Sequence, residues 1–369
     1  MYIEKKKKKR KIPRKILFFG VSVLLVLTVL IVGLVMVLTK GAEVKDSLTL
    51  MPFGIHDTYL CVNNTIVYSE GDLLTCVNAS MEQKWQLRMY TSGLNYTASN
   101  TIIVATSDTV IQVISSEGKP LFVKQLEDCT IQSVRAGGSQ VAVYVEQKAS
   151  DTTLYYILVF DLSGNDIYKL PMTGYNVLDY GFDGNNEELY VLELDVDGVA
   201  PISRIYTYRP KTQTMTGIND LTDQLVGCVY IFGDDIYAMG TSYLTTFKSL
   251  KQSQKRLIYG WCLEDLYDGE DPVFVYAQSA EMGSTLSSVR LIRTSGDELK
   301  LNLPSGVFSV QYTGEKIYCF ASDRIFVYTV EGKYLRMHPL PFTIDSVSKA
   351  IDGYAFVTVG ESVYLLPLP

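Results

Sequence analysis

The stretch IFVYTVEGKYLRM, Ile325 to Met337, reads as a strand, a tight turn containing glycine, and a second strand. The first strand is apolar or aromatic on both faces, Ile325 and Val327 on one and Phe326 and Tyr328 on the other. A sheet with one wet face would alternate apolar and polar. The same phrase returns as IQVISSEGKPLFV from Ile111, YILVFDLSGNDIYKL from Tyr156 and VRLIRTSGDELKLNL from Val289. Looser copies start at Leu73, Ser203 and Leu244, which makes seven hairpins of one kind. Self-similarity at a fixed period marks a repeat architecture.

A second feature precedes each hairpin: a Gly, Asn or Asp turn followed by an apolar run. The turns are Asn63-Asn64, Ser99-Asn100, Gly137-Gly138, Gly184-Asn185, Asp234-Asp235, Asp268-Gly269, Gly314-Glu315 and Asp352-Gly353. These residues tolerate the positive φ of tight hairpin turns. From Asn64 to Gly353 is 289 residues in seven steps, about 41 per step. Each unit therefore holds four strands, a to d, with the a–b and c–d turns chemically marked. That period and strand count predict an all-β fold, a β-propeller of four-stranded blades. The 26 Tyr and 14 Phe suit it, as wide flat groups between blades.

The chain ends at ESVYLLPLP, a third strand with no fourth after it. The unassigned apolar piece SLTLMPF, Ser47 to Phe53, is the expected outer strand of the last blade, so that both ends close the ring. This makes eight blades; a seven-bladed ring with one irregular unit is the alternative.

The N-terminal end has another character. Lys5 to Lys9, Arg10, Lys11, Arg14 and Lys15 face one acid, Glu4, and Ile16 to Thr39 then runs 24 residues without a charge. Such a run spans a ~30 Å hydrocarbon core. It is too long for a cleaved signal peptide, and TKGAEV is a poor cleavage site. The expectation is a basic cytoplasmic tail (1–15), an uncleaved transmembrane signal anchor in the lipid bilayer (16–39), a short linker (40–46) and an extracytoplasmic propeller (47–369) on the plasma membrane, oriented by the positive-inside rule. From Lys40 onward 24 Lys and Arg face 39 Asp and Glu, net −15. So acidic a domain is not expected to bind nucleic acid or anionic lipid through its surface field.

With this layout and the IxVxxxEGKxL hairpins, the chain resembles an uncharacterised family of single-pass membrane proteins from Gram-positive anaerobes. These carry a quinoprotein-like or WD-repeat-like propeller outside the cell. The resemblance implies a fold and a location, and no known activity. The Trp-Asp ending of WD repeats is absent, and the tryptophans are Trp85 and Trp261 alone. The regular tryptophan pattern of quinoprotein repeats is missing too, so no quinone or other cofactor is expected.

Chemistry-bearing motifs are few. The six cysteines, Cys61, Cys76, Cys129, Cys228, Cys262 and Cys319, form no C-x-x-C pair and no zinc spacing with His56 or His338. Five sit in apolar strand-like runs and read as buried thiols, with disulfides as the alternative. The sequons at Asn63, Asn78 and Asn95 matter only in a eukaryotic secretory pathway. DVDG at Asp195 lacks the later ligands of a calcium loop and reads as an acidic hairpin turn. No nucleophile elbow, P-loop, dinucleotide fingerprint or H-E-x-x-H occurs.

Loop lengths carry the one functional hint. The b–c connection is short in five units and extended in three, EQKASDTT from Glu146, DVDGVAPIS from Asp195 and AQSAEMGSTLSS from Ala277. The b–c and d–a connections share one propeller face, and function concentrates on loops carried by a rigid scaffold. The candidate contact residues are Glu146, Lys148, Asp151, Asp195, Asp197, Glu281 and Met282. The favoured reading is a non-catalytic binding or scaffold module for an unknown protein or cell-wall polymer. The alternative is a carboxylate-dependent enzyme acting on glycans, which would need buried, shifted carboxylates at the ring axis.

Overall fold

The computed structural model describes residues 48–149, 151–172, 176–183, 188–233, 235–249, 251–279 and 285–369. The basic tail, the apolar span 16–39 and the linker lie outside the described residues. No helix among the described residues is long and apolar enough to cross a membrane. These residues form thirty-two strands in eight four-stranded antiparallel sheets. The sheets are the blades of an eight-bladed propeller.

Blade 7 shows how the opening stretch works. Its third strand, Arg324–Thr329, turns Ile325 and Val327 into the apolar cluster shared with blade 8. Phe326 and Tyr328 enter the cluster shared with blade 6. Eight such clusters lie between successive blades. Both faces of the middle strands are therefore largely buried, apart from the exposed start of the third strand of blade 3, and each blade is held by two neighbours.

The turn that closes this hairpin recurs. Gly332, at φ 81°, donates its N–H to the Thr329 carbonyl at 2.9 Å, and Thr329 donates to the Lys333 carbonyl at 2.9 Å. Ser115–Lys119, Asp161–Asn165 and Arg293–Asp297 repeat the pattern with Gly118, Gly164 and Gly296. The looser copies keep the geometry with another residue: Met81 stands at φ 62° and Gln213 at φ 53°. Among the a–b turns, Asn63 and Asn64 adopt φ 47° and 61°, the paired positive values of a tight two-residue hairpin. One turn is shifted from its expected place. Asp235 already pairs with Phe232, so the bend in blade 5 begins at Gly233, φ 60°. The expected turn at Gly184-Asn185 lies outside the described residues.

The ring closes as expected. Thr49–Gly54 is the outer strand of blade 8, with Thr49 opposite Leu365 and Leu50 opposite Tyr364. Alternate residues point inward. Met51 and Phe53 are buried, and Phe53 stacks on Tyr59 of blade 1 with centroids 4.6 Å apart. Contacts between neighbouring blades run largely through the first strands, which therefore surround the axis, while the fourth strands form the outer wall.

Candidate contact face

The b–c and d–a connections form one face. The three extended b–c connections differ in kind. In blade 3 the expected loop is strand. Gln140–Ala149 and Thr152–Asp161 are ten residues each and stay paired to Ala149 opposite Thr152. The flanking strands stop pairing at Gln147 and Tyr155, so the tip is a two-stranded projection. The β-branched and aromatic run Thr152, Thr153, Tyr155 and Tyr156 favours strand over loop. Glu146 lies at its base and accepts from Gln132 Nε2 at 3.3 Å. Lys148 and Asp151 are exposed at the tip, with Leu154 and Tyr155 exposed beside them.

In blade 4 Asp195 ends the second strand, Leu189–Asp195, and is half-buried. Its carboxylate faces Arg204 at 3.6 Å and accepts the Asp197 N–H at 3.1 Å. Arg204 also pairs with Asp220, Nε to Oδ1 2.6 Å. Asp195 thus ties down the base of its loop, while Asp197 is exposed and the loop presents Val196 and Val199 to solvent. In blade 6 the connection between Val273–Ser279 and Leu286–Arg293 includes Glu281 and Met282, which lie outside the described residues.

Sequence reasoning missed a cavity on this face between blades 5 and 6. It holds about 310 Å³ and is lined mainly by Leu225, Met239, Ile258, Trp261, Leu263 and Tyr276. Leu257, at the end of the outer strand of blade 5, and Tyr259, in the d–a connection that follows, stand exposed at 57% and 74%. The available signal was the pair of aromatics flanking glycine in Tyr259-Gly260-Trp261, between the outer strand of blade 5 and the inner strand of blade 6. With the blade 3 tip and the blade 4 loop, apolar groups run along the face from blade 3 to blade 6.

The carboxylates at the axis are engaged. Asp179 accepts from Arg135 Nη2 at 3.2 Å, Tyr190 Oη at 3.1 Å and the Val229 N–H of the next blade at 3.2 Å. Asp265 repeats the tie, accepting the Tyr312 N–H at 2.9 Å. Such carboxylates join successive inner strands and are poorly placed to act as bases. Tyr190 is pushed well above its ordinary value by burial and by Asp179. Glu193 is the carboxyl whose value rises, to about 7, chiefly through burial, but it sits between blades 3 and 4. His56 is exposed between blades 8 and 1, and His338 lies on the outer strand of blade 7. All six cysteines lie on strands and are unbridged; Cys76 and Cys319 are buried, whereas Cys61 and Cys262 are exposed on inner strands. Among the described residues no three His, Cys, Asp or Glu side chains are grouped to hold a metal.

No protein-family model matches the chain, and no curated protein sequence matches it. Solved structures do. The C-terminal WD40 domain of Sif2 is similar at TM-score 0.58 and 13% identity, covering 87% of this chain and 98% of that one. A eukaryotic initiation factor matches at TM-score 0.52 and 8% identity, over 86% and 91%. BamB from Moraxella catarrhalis matches at TM-score 0.49 and 12% identity, over 87% and 100%. The likeness to the first two shows the fold alone: the described residues form a β-propeller.

Proposed function

We propose that this protein is a membrane-anchored binding module, held at the outer face of the cytoplasmic membrane by residues 16–39 with its N-terminus inside. It engages a protein partner through the b–c face of blades 3 to 6. The observation that carries the reading is the uneven face. A projecting hairpin, an exposed apolar loop and an apolar cavity with aromatic rim lie side by side in blades 3 to 6. Contiguous exposed apolar groups on a folded domain mark interaction sites. The saturated axial carboxylates favour binding over acid–base chemistry.

The test is mild crosslinking in cells with the tagged full-length protein, beside a version whose residues 148–153, 196–201 and 280–285 are replaced by short turns. A protein captured by the first and lost by the second supports this face. Equal capture by both sinks the face assignment. Capture of no protein by either turns attention to a wall polymer, and glycan binding becomes the next measurement.

A further inference from the structure

In five consecutive blades, 3 to 7, the innermost strand carries one residue more than its partner. The extra residues are Gln132, Leu178, Gly227, Glu264 and Phe308. A bulge of this kind leaves that residue outside the ladder. Four blades fill the place with a large side chain. Blade 5 has glycine, and a Cβ built there would meet nothing within 4 Å. Gly227 is not among the glycines at positive φ, so space and not backbone conformation sets it apart.

Two cavities share Gly227 as a wall. One, of about 450 Å³, is polar and lined by Arg135, Asp179, Tyr190 and Cys228. The other is the apolar cavity of Trp261 and Met239, about 310 Å³. Tyr276 lines the second, is 0% exposed, and has a hydroxyl with no hydrogen-bond partner among the described residues. Leaving a buried hydroxyl unpaired is unfavourable, and a ligand that reaches it removes the penalty. On the polar side Arg135 gives Nε to the Tyr180 carbonyl, Nη1 to Val134 and Nη2 to Asp179. A guanidinium has five N–H donors, so it keeps donors to spare on a side chain 45% open to solvent.

We propose that the Gly227 gap is the anchor pocket for a partner's peptide segment. A bulky apolar side chain packs against Trp261 and Met239. The adjoining amide or carboxylate reaches Tyr276 and Arg135. This rests on the binding-module reading and supplies the chemistry of its partner. A purely apolar ligand would leave Tyr276 unpaired. A sugar would bring more hydroxyls than the Trp261 cavity has polar side-chain groups to receive, since these are the Thr241 and Tyr276 hydroxyls and the Trp261 indole N–H.

Gly227→Leu copies what blade 4 does at Leu178, and the open space predicts an unchanged melting temperature. The probe is N-acetyl-phenylalanine, titrated into the purified full-length chain in a Trp85→Phe background, where Trp261 is the sole indole. A saturable change in Trp261 emission is expected, with Kd on the order of 1 mM. Gly227→Leu weakens it about tenfold or more. Tyr276→Phe, which keeps the ring, weakens it about threefold to tenfold, the worth of one neutral hydrogen bond. No saturable change, or equal binding by both variants, overturns the pocket. A protein partner crosslinked equally to wild type and Gly227→Leu, yet lost on trimming the b–c connections, keeps the contact face and overturns the pocket alone.

Discussion

Replacing Glu193 by glutamine should stabilise the protein above neutral pH and do nothing at pH 4. Glu193 lies in the second strand of blade 4, 4% exposed, with Leu189 and Val191 of the same face packed on blade 3. Burial lifts its carboxyl from 4.5 to about 7, and nearby Arg204 opposes the lift. For an acid raised in the folded state, the proton is kept on folding until pH about 7 but lost from the unfolded chain near 4.5. Stability is therefore undiminished below 4.5, falls as pH rises toward 7, and levels off above it. At about 1.4 kcal/mol per pH unit, the unscreened loss is about 3 kcal/mol. The strand ends two residues later at the open rim, and solvent there screens the charge, so about 1–2 kcal/mol is expected. For roughly 320 residues at about 2.1 cal/mol/K each, this is about 1.5–3 °C in Tm. Circular dichroism melts of wild type and Glu193→Gln in buffers from pH 4 to pH 8 measure it. The two curves should coincide at pH 4 and separate on the alkaline side, with the variant higher. Parallel curves across the range would refute a buried, proton-holding Glu193.

Three further outcomes can be read by the same melts or by urea unfolding. Phe53→Ala should cost about 3–5 kcal/mol, because the ring fills the closure between blades 8 and 1, whereas Leu50→Ala on the opposite face of that strand should cost under about 0.5 kcal/mol; equal effects would contradict closure by this strand. Gly118→Ala should destabilise more than Gly71→Ala. Both residues have positive φ, but a Cβ at Gly118 lies 2.5 Å from the Trp85 ring while Gly71 has nothing within 4 Å. Asp179→Ala should cost about 2–4 kcal/mol, since it strips Arg135, the Tyr190 hydroxyl and the Val229 N–H of one shared acceptor. A loss under about 1 kcal/mol would mean that water replaces the carboxylate without penalty.

The blade is local in sequence, which is why it could be read there. Four strands, their turns and their two apolar faces all lie within one period, and even the closing strand announced itself as an apolar piece, Ser47 to Phe53, with no partner nearby in sequence. Other features are not local, or hide inside patterns that look regular. A bulge is a single extra residue in a strand, and Gly227 between Val226 and Cys228 leaves the apolar run intact. Glu193 is one charge inside YVLEL, and only the packing of blade 3 over it makes it buried. Asp195 looked like a free acidic turn because its partners, Arg204 and the Asp197 N–H, are matters of geometry. The blade 3 connection had a readable signal in Thr152, Thr153 and Tyr155, but EQKASD before it resembles a loop. The Trp261 cavity draws residues from two blades and could be assembled only in three dimensions.

The departures from the repeat are not spread evenly. Blades 8, 1 and 2 have first strands of four residues without a bulge, Ser346–Lys349, Tyr59–Val62 and Asn95–Ala98, and two-to-three-residue b–c turns. Blades 3 to 7 have longer, bulged first strands, and the projecting hairpin of blade 3 and the long b–c connections of blades 4 and 6 fall among them. The blade that joins the two ends of the ring has an unbulged first strand, as do blades 1 and 2 beside it, and its irregularity is confined to the outer closing strand between Leu50 and Gly54. This division has a physical logic. Closure depends on a ladder formed between residues more than 300 apart in sequence, Leu50 with Tyr364, and that ladder already carries an irregularity of its own between Leu50 and Gly54, so the inner strands beside it stay short and unbulged. Bulges bend a strand and break its ladder, which is affordable where both neighbours are already chained in sequence. A ring built this way can vary one arc while the other keeps it shut. The varied arc is where the hairpin projects, the apolar loop stands out and a side chain is missing at Gly227.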